Sequence, residues 1–257
     1  MEYWSRKMEL ATAAREHTED MKSRFGKEID ACIKASVIFG GDGKNPSDAA
    51  VPGKQALDAS FMMNDTVSAL FEQLEDCHVA LLNFASYKFP GGQFMNGSSA
   101  QEESLCHSSF LFNVLDAFSG SYYEWNKQNL NRGLYKNRAI LSPNIRFFKD
   151  GKERLADVLT CAAPNRSIIR YGRFEEEDNS SALYSRIDFI SKVLRQKGYA
   201  PDVIILGAFG CGVFAQDAED VAGLFRTSQF PASARIVYAV PDNRNYKLSY
   251  KAFHPYP

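Results

Sequence analysis

Two nearly unbroken apolar runs, HVALLNFA (78–85) and DVIILGAFG (202–210), set the strongest limit on the fold. A strand with one wet face alternates apolar and polar residues. A strand apolar at nearly every position is buried on both faces, as in a parallel sheet covered by helices. Each run breaks into a glycine-bearing loop and then into helical sequence. FPGGQFMNGSSA leads into QEESLCHSSFLFNVLDAF, and GAFGCGVF leads into AQDAEDVAGLFRTS. In the first helix Leu105, Phe110, Val114, Leu115 and Phe118 form the face laid on a sheet.

The rest of the chain extends this αβ alternation. SFMM (60–63) reads as a short strand, and NDTVSALFEQL as a helix capped by Asn64 or Asp65. DVLTCAAPN is a strand ended by Pro164, SSALYSRIDFISKVLRQKG a helix closed by Gly198, and ARIVYAV a last strand. The stretch from Ser121 to Gly151 is aromatic and irregular. The expected fold is therefore α/β, with a mostly parallel sheet between helices. The first ~25 residues carry helical spacing at Trp4, Met8, Ala11, Met21 and Phe25. Turn residues crowd positions 39–54. Residues 1–58 are accordingly expected to form an N-terminal accessory helical segment, and 59–257 the main domain.

Charge and cysteine usage narrow the function. Thirty Lys and Arg against 31 Asp and Glu give a net charge of −1, without the electrostatic footprint of a nucleic-acid binder. No apolar run is long enough to span a bilayer, and the opening residues are mixed and charged rather than signal-like. The expectation is a cytoplasmic monomer, nuclear if the source is eukaryotic. Cys32, Cys77, Cys106, Cys161 and Cys211 are scattered and lack CxxC spacing, which favours reduced thiols over disulfides or zinc. His78, His107 and His254 have no ligand spacing, so no metal or cofactor is expected.

Ligands of open α/β sheets bind at the C-terminal ends of the strands, where both glycine loops fall. Glycines allow close backbone approach, and amides at a helix start attract phosphate. Neither loop is followed by GK[ST], and neither is a GxGxxG fingerprint. Read residue by residue, each feature has a plainer meaning. GAFGCG suits a tight turn, and Phe214 suits the core. Glu102 and Glu103 suit a first helical turn, with Ser99 and Glu102 as a capping box.

The order of the pieces resolves these alternatives. LLNFASYKFPGGQFMNGSSAQEESLC, then TCAAPN, then VIILGAFGCGVFAQDAEDVAGLF resembles the microbial type of poly(ADP-ribose) glycohydrolase over roughly 61–253. The resemblance implies a macrodomain-like three-layer α/β/α fold and ADP-ribose, poly(ADP-ribose) or ADP-ribosylated proteins as partners. That family's signature is a PGGG loop followed by QEE. Carried over by position, Glu103 is the implied catalytic acid and base, and Glu102 the implied holder of the ribose hydroxyls. Asn83, Gly91 and Gly92 are implied around the distal ribose and diphosphate. Gly207, Gly210, Cys211 and Gly212 are implied at the diphosphate, and Phe214 under the adenine, with Gln93, Gln101 and Val213 as further expected ADP-ribose contacts. Gln93 stands where the family has a third glycine, so its side chain must turn away or crowd the ribose.

The implied chemistry is hydrolysis of an O-glycosidic ribose bond through an oxocarbenium-like state. A helix N-terminus favours an ionised carboxylate, whereas a general acid must hold a proton. The acid is therefore expected to become competent when substrate arrives. The alternatives are a hydrolase for serine- or metabolite-linked mono-ADP-ribose and a reader that binds ADP-ribose without cutting it.

Overall fold

The computed structural model describes residues 2–46, 53–56, 59–242 and 247–254. The chain opens with a long helix, α1 (Glu2–Ala35), bent at Phe25, where the backbone leaves helical geometry. It continues through β1 (Val37–Gly40), β2 (Gly53–Gln55), β3 (Ser60–Met62), α2 (Thr66–Phe71) and β4 (Val79–Phe84). Next come α3 (Gln101–His107), α4 (Leu111–Asp116) and α5 (Glu124–Gln128), then β5 (Arg138–Lys149) and β6 (Lys152–Cys161). The C-terminal part holds α6 (Glu176–Leu194), β7 (Val203–Leu206), α7 (Ala218–Thr227), β8 (Gln229–Pro231), β9 (Arg235–Ala239) and α8 (Lys247–Phe253).

Seven strands form one sheet in the order β1-β5-β6-β4-β7-β9-β3. The pairings from β6 through β4, β7 and β9 to β3 are parallel. The β1-β5 and β5-β6 pairings are antiparallel. β2 and β8 make a separate two-stranded sheet.

The two central apolar runs behave as their composition requires. Ala80 and Leu82 of β4, with Ile204 and Leu206 of β7, join one core with Ile187 and Ile190 of α6 and Val221 and Phe225 of α7. Val79 and Leu81, with Val203 and Ile205, point the other way, onto Leu70 of α2, Leu105 of α3 and Leu115 of α4. Alternate residues of the same strands thus feed cores on opposite faces, which is why these strands show no polar alternation.

Three expectations about local structure are corrected. The helix foreseen from 101 to 118 is two helices, because Ser108–Phe110 turn out of line; Ser109 Oγ accepts the N–H of Leu111, and Phe148 donates its N–H to Ser108 O. The irregular stretch before Gly151 contains the long strand β5, which pairs with β6 through a bulge between Ser142 and Ile145. α6 ends at Leu194 with Arg195 as its C-cap, short of Gly198.

The N-terminal part is built into this body. Ala14, Met21, Ile29 and Cys32 of α1 lie in the same core as α2, α3 and α4, and β1 supplies a sheet edge. Residues 57 and 58, next to the expected boundary, lie outside the described residues. On either side of them Ala56 and Phe61 pack on one core.

Candidate active site

The C-terminal ends of β4, β6, β7 and β9 meet at a cleft of about 550 Å³, within the usual span of small-molecule sites. Its walls include Gly92, Gln93 and the start of α3 on one side, and Gly210, Gly212, Val213 and Phe214 on the other. A wider groove of about 1000 Å³ lies near the opposite strand ends, around His78, Asp157 and Tyr199. It borders neither glycine loop.

Glu102 and Glu103 open α3 and are buried, at 4% and 6% exposure. The helix is capped by Ala100 without a side-chain hydrogen bond, so the expected Ser99–Glu102 capping box does not form. Glu102 is drawn instead to the end of β4. Its Oε2 accepts the Ser86 N–H at 2.7 Å, and its Oε1 accepts from Asn83 Nδ2 at 3.3 Å. Burial pushes the Glu102 carboxyl up to about 8, and the adjacent Glu103 adds to this against the hydrogen bonds from Ser86 and Asn83. Glu102 therefore keeps its proton at neutral pH.

Asn83 lies fully buried behind the pair. Its Nδ2 donates to both Glu102 and Thr160 Oγ1, while Oδ1 has no partner among the described residues. Turning the amide over would let Oδ1 accept from the neutral Glu102 carboxyl.

Glu103 faces the first glycine loop. Its Oε1 accepts the Gln93 N–H at 2.8 Å. Gly92 sits between the two acids with φ +62°, and a Cβ there would lie 2.5 Å from Glu103 Oε1 and 2.9 Å from Glu102 Oε2. Only a residue without a side chain allows both carboxyls to approach this turn. Gly91 faces the other way, where a Cβ would meet Phe112.

Gln101 lines the cleft and is also part of its frame. Its Nε2 donates to Leu82 O and Thr66 Oγ1, and its Oε1 accepts the Phe84 N–H. The amide thereby locks α3 to the end of β4. Gln93 is exposed, and its Oε1 accepts from Asn96 Nδ2 at 2.9 Å, so the side chain turns from the acids.

The second loop is held by its own backbone and by Gln216. The N–H groups of Phe209, Cys211, Ala215 and Gln216 bond to carbonyls within the turn, and those of Gly212 and Val213 are not used in this way. Gln216 Nε2 donates to Pro164 O and Asn179 Oδ1. A Cβ on Gly207 would strike Ala239 O, and one on Gly210 would strike Ala163 Cβ at 2.6 Å. These glycines therefore serve packing as well as access. Cys211 is half-buried, and burial pushes its thiol up to about 12, which makes it a poor nucleophile. Phe214 is half-buried and packs beside Tyr87, Tyr135 and Ala162.

The structure brings Gln101, Glu102, Glu103, Gly92, Gln93, Gly210, Gly212, Val213 and Phe214 to one cleft. Asn83, Gly91, Gly207 and Cys211 stand behind its walls. Sequence reasoning missed Ser86 and Thr160. Ser86 acts through its main chain, which no residue type announces, and Thr160 is one polar residue at the end of a strand.

A family sequence profile described as "Microbial-type PARG, catalytic domain" matches residues 7–150. A poly(ADP-ribose) glycohydrolase from Thermomonospora curvata, bound to the inhibitor ADP-HPD, is 26% identical, with TM-score 0.77 over 96% of this chain and 98% of that one. The poly(ADP-ribose) glycohydrolase of Deinococcus radiodurans in complex with ADP-ribose is 27% identical, with TM-score 0.75 over 88% and 95%. No curated protein sequence matches the chain.

Proposed function

The chain belongs to the microbial-type PARG catalytic-domain family, and from that premise we propose that it hydrolyses the O-glycosidic ribose bonds of poly(ADP-ribose) and releases ADP-ribose. The observation that carries this reading is the convergence of two buried carboxyls on Gly92, where a Cβ would come within 3 Å of both. In the reaction the anomeric C–O bond breaks with oxocarbenium character, and water supplies the new C–O bond. Glu103 gives a proton to the departing ribose oxygen and, as carboxylate, takes one from the attacking water. Glu102, neutral and fixed by Ser86, holds the ribose hydroxyls beside the scissile bond as both donor and acceptor. The two glycine loops take the diphosphate between them, and the Phe214 ring takes the base.

Glu103→Gln is the direct test. The amide keeps the shape but cannot cycle a proton, so release of ADP-ribose from polymer should fall at least ~100-fold. ADP-ribose affinity should stay within about threefold. Turnover near wild type would remove Glu103 from the chemistry, and a wild-type chain that binds ADP-ribose without cutting polymer would make it a reader.

A further inference from the structure

Tyr87 touches both halves of this site without lining it. Its ring is 1% exposed and lies on Tyr135 with centroids 4.2 Å apart and planes 12° from parallel. The Tyr135 ring stands 5.9 Å from Phe214 at 56°. Three rings thus run from the interior to the cleft wall. Tyr135 holds φ +62°, an outlier for a bulky residue, and Ala215, next to Phe214, holds φ +55°. Such backbone persists only where its surroundings over-determine it.

Hydrogen bonds fix the stack. Tyr87 Oη donates to Asn129 O at 3.1 Å and accepts the Lys136 N–H at 3.2 Å, so one phenol pins both ends of the turn that carries Tyr135. Asn126 Nδ2 donates to Tyr87 O at 2.8 Å. On its N-terminal side Tyr87 follows Ser86, whose N–H holds Glu102 Oε2 at 2.7 Å.

We propose that Tyr87 is a positioning residue that couples the aromatic platform at Phe214 to the Glu102 carboxyl. The inference rests on the proposed function, which puts the base on Phe214. The ring stack sets the height of the platform. The peptide on the far side of Ser86, one residue back along the chain, makes the hydrogen bond to Glu102. A loosened Tyr87 must therefore disturb binding through Phe214 and catalysis through Ser86.

The test compares wild type, Tyr87→Leu, Phe214→Ala and the double variant, with ADP-ribose affinity by calorimetry and kcat on ADP-ribose polymer. Tyr87→Leu should raise Kd roughly tenfold, the scale of a lost stacking contact, and lower kcat roughly tenfold through a displaced Glu102. In the Phe214→Ala background the step in Kd should shrink below about twofold, while the step in kcat persists. Tyr87→Phe keeps the ring, and should hold Kd within about twofold although it melts earlier for want of two buried hydrogen bonds. An equal Kd step in both backgrounds would overturn the coupling, as would Tyr87→Leu that only melts earlier. If Tyr87→Leu does not fold, Tyr135→Leu removes the same ring contact and must show the same Kd step; an unchanged Kd there also overturns it. A wild-type chain that binds no ADP-ribose would defeat the functional reading itself, before any variant is compared.

Discussion

Gln93 donates its main-chain N–H to Glu103 Oε1 at 2.8 Å. The residue that departs from the glycine-rich pattern thus serves the acid through its backbone. Its φ of −112° is open to any residue, and its side chain points out to Asn96. The hydrogen bond to Asn96 holds the glutamine side chain off the two acids while its N–H stays on Glu103.

Gln93→Gly should therefore bring no gain in rate. It adds freedom to the unfolded chain and removes the bond to Asn96, at a cost of up to about 1 kcal/mol in stability. Turnover on polymer and a denaturant titration measure the two effects. A faster variant would show that the side chain does reach the ribose.

Gly92→Ala should be far more damaging. The new methyl would lie 2.5 Å from Glu103 Oε1 on a backbone with φ +62°. Displacing a catalytic carboxyl by about 1 Å costs on the order of 100-fold in rate, and the left-handed backbone costs about 1–2 kcal/mol. Polymer turnover and thermal melting give both figures. Near-normal turnover would mean that the acids do not need this close approach.

What could be read in the sequence divides along a physical line. β4, β7 and α7 were legible because their burial or amphipathic pattern is local and complete. β5 was not, because its period is interrupted at the Ser142–Ile145 bulge and it runs among aromatic residues that suit many structures. The acids and glycine loops could be located because their residue types carry chemistry. Ser86, Thr160 and Tyr87 were hidden because they act through a peptide N–H, a buried hydroxyl and a ring behind a ring. The helical character of α1 was evident in its spacing. Its integration was not, since the faces it meets on α4 and β5 lie about 100 residues away in the chain.

Gly210→Val tests the second loop. Gly210 holds φ +76°, with Ala163 and Gln216 both within 3 Å of where a Cβ would sit. The valine must push against the frame, not only into the ligand's space. Stability should fall by about 1–3 kcal/mol from overpacking, and ADP-ribose binding should weaken with it. Equilibrium unfolding beside calorimetric titration separates the effects. Lost affinity with unchanged stability would assign the clash to the ligand alone.

Glu102 makes folding stability depend on pH in a definite direction. Its folded value is pushed up to about 8 from an ordinary 4.5. Below about 4.5 the folded and unfolded chains both carry the proton, and the contribution is complete. Between about 4.5 and 8 the folded chain keeps a proton that the unfolded chain has released, so stability falls as pH rises. Above about 8 the carboxyl is ionised in both states, and the contribution has gone. Glu102→Gln stays neutral throughout and can use the turned-over Asn83 amide as its partner. Melting curves from pH 5 to 8 should therefore decline more steeply for wild type than for Glu102→Gln. Parallel declines would mean that the buried carboxyl does not hold its proton, and a charge-free partner for the ribose hydroxyls would have to be sought elsewhere in the cleft.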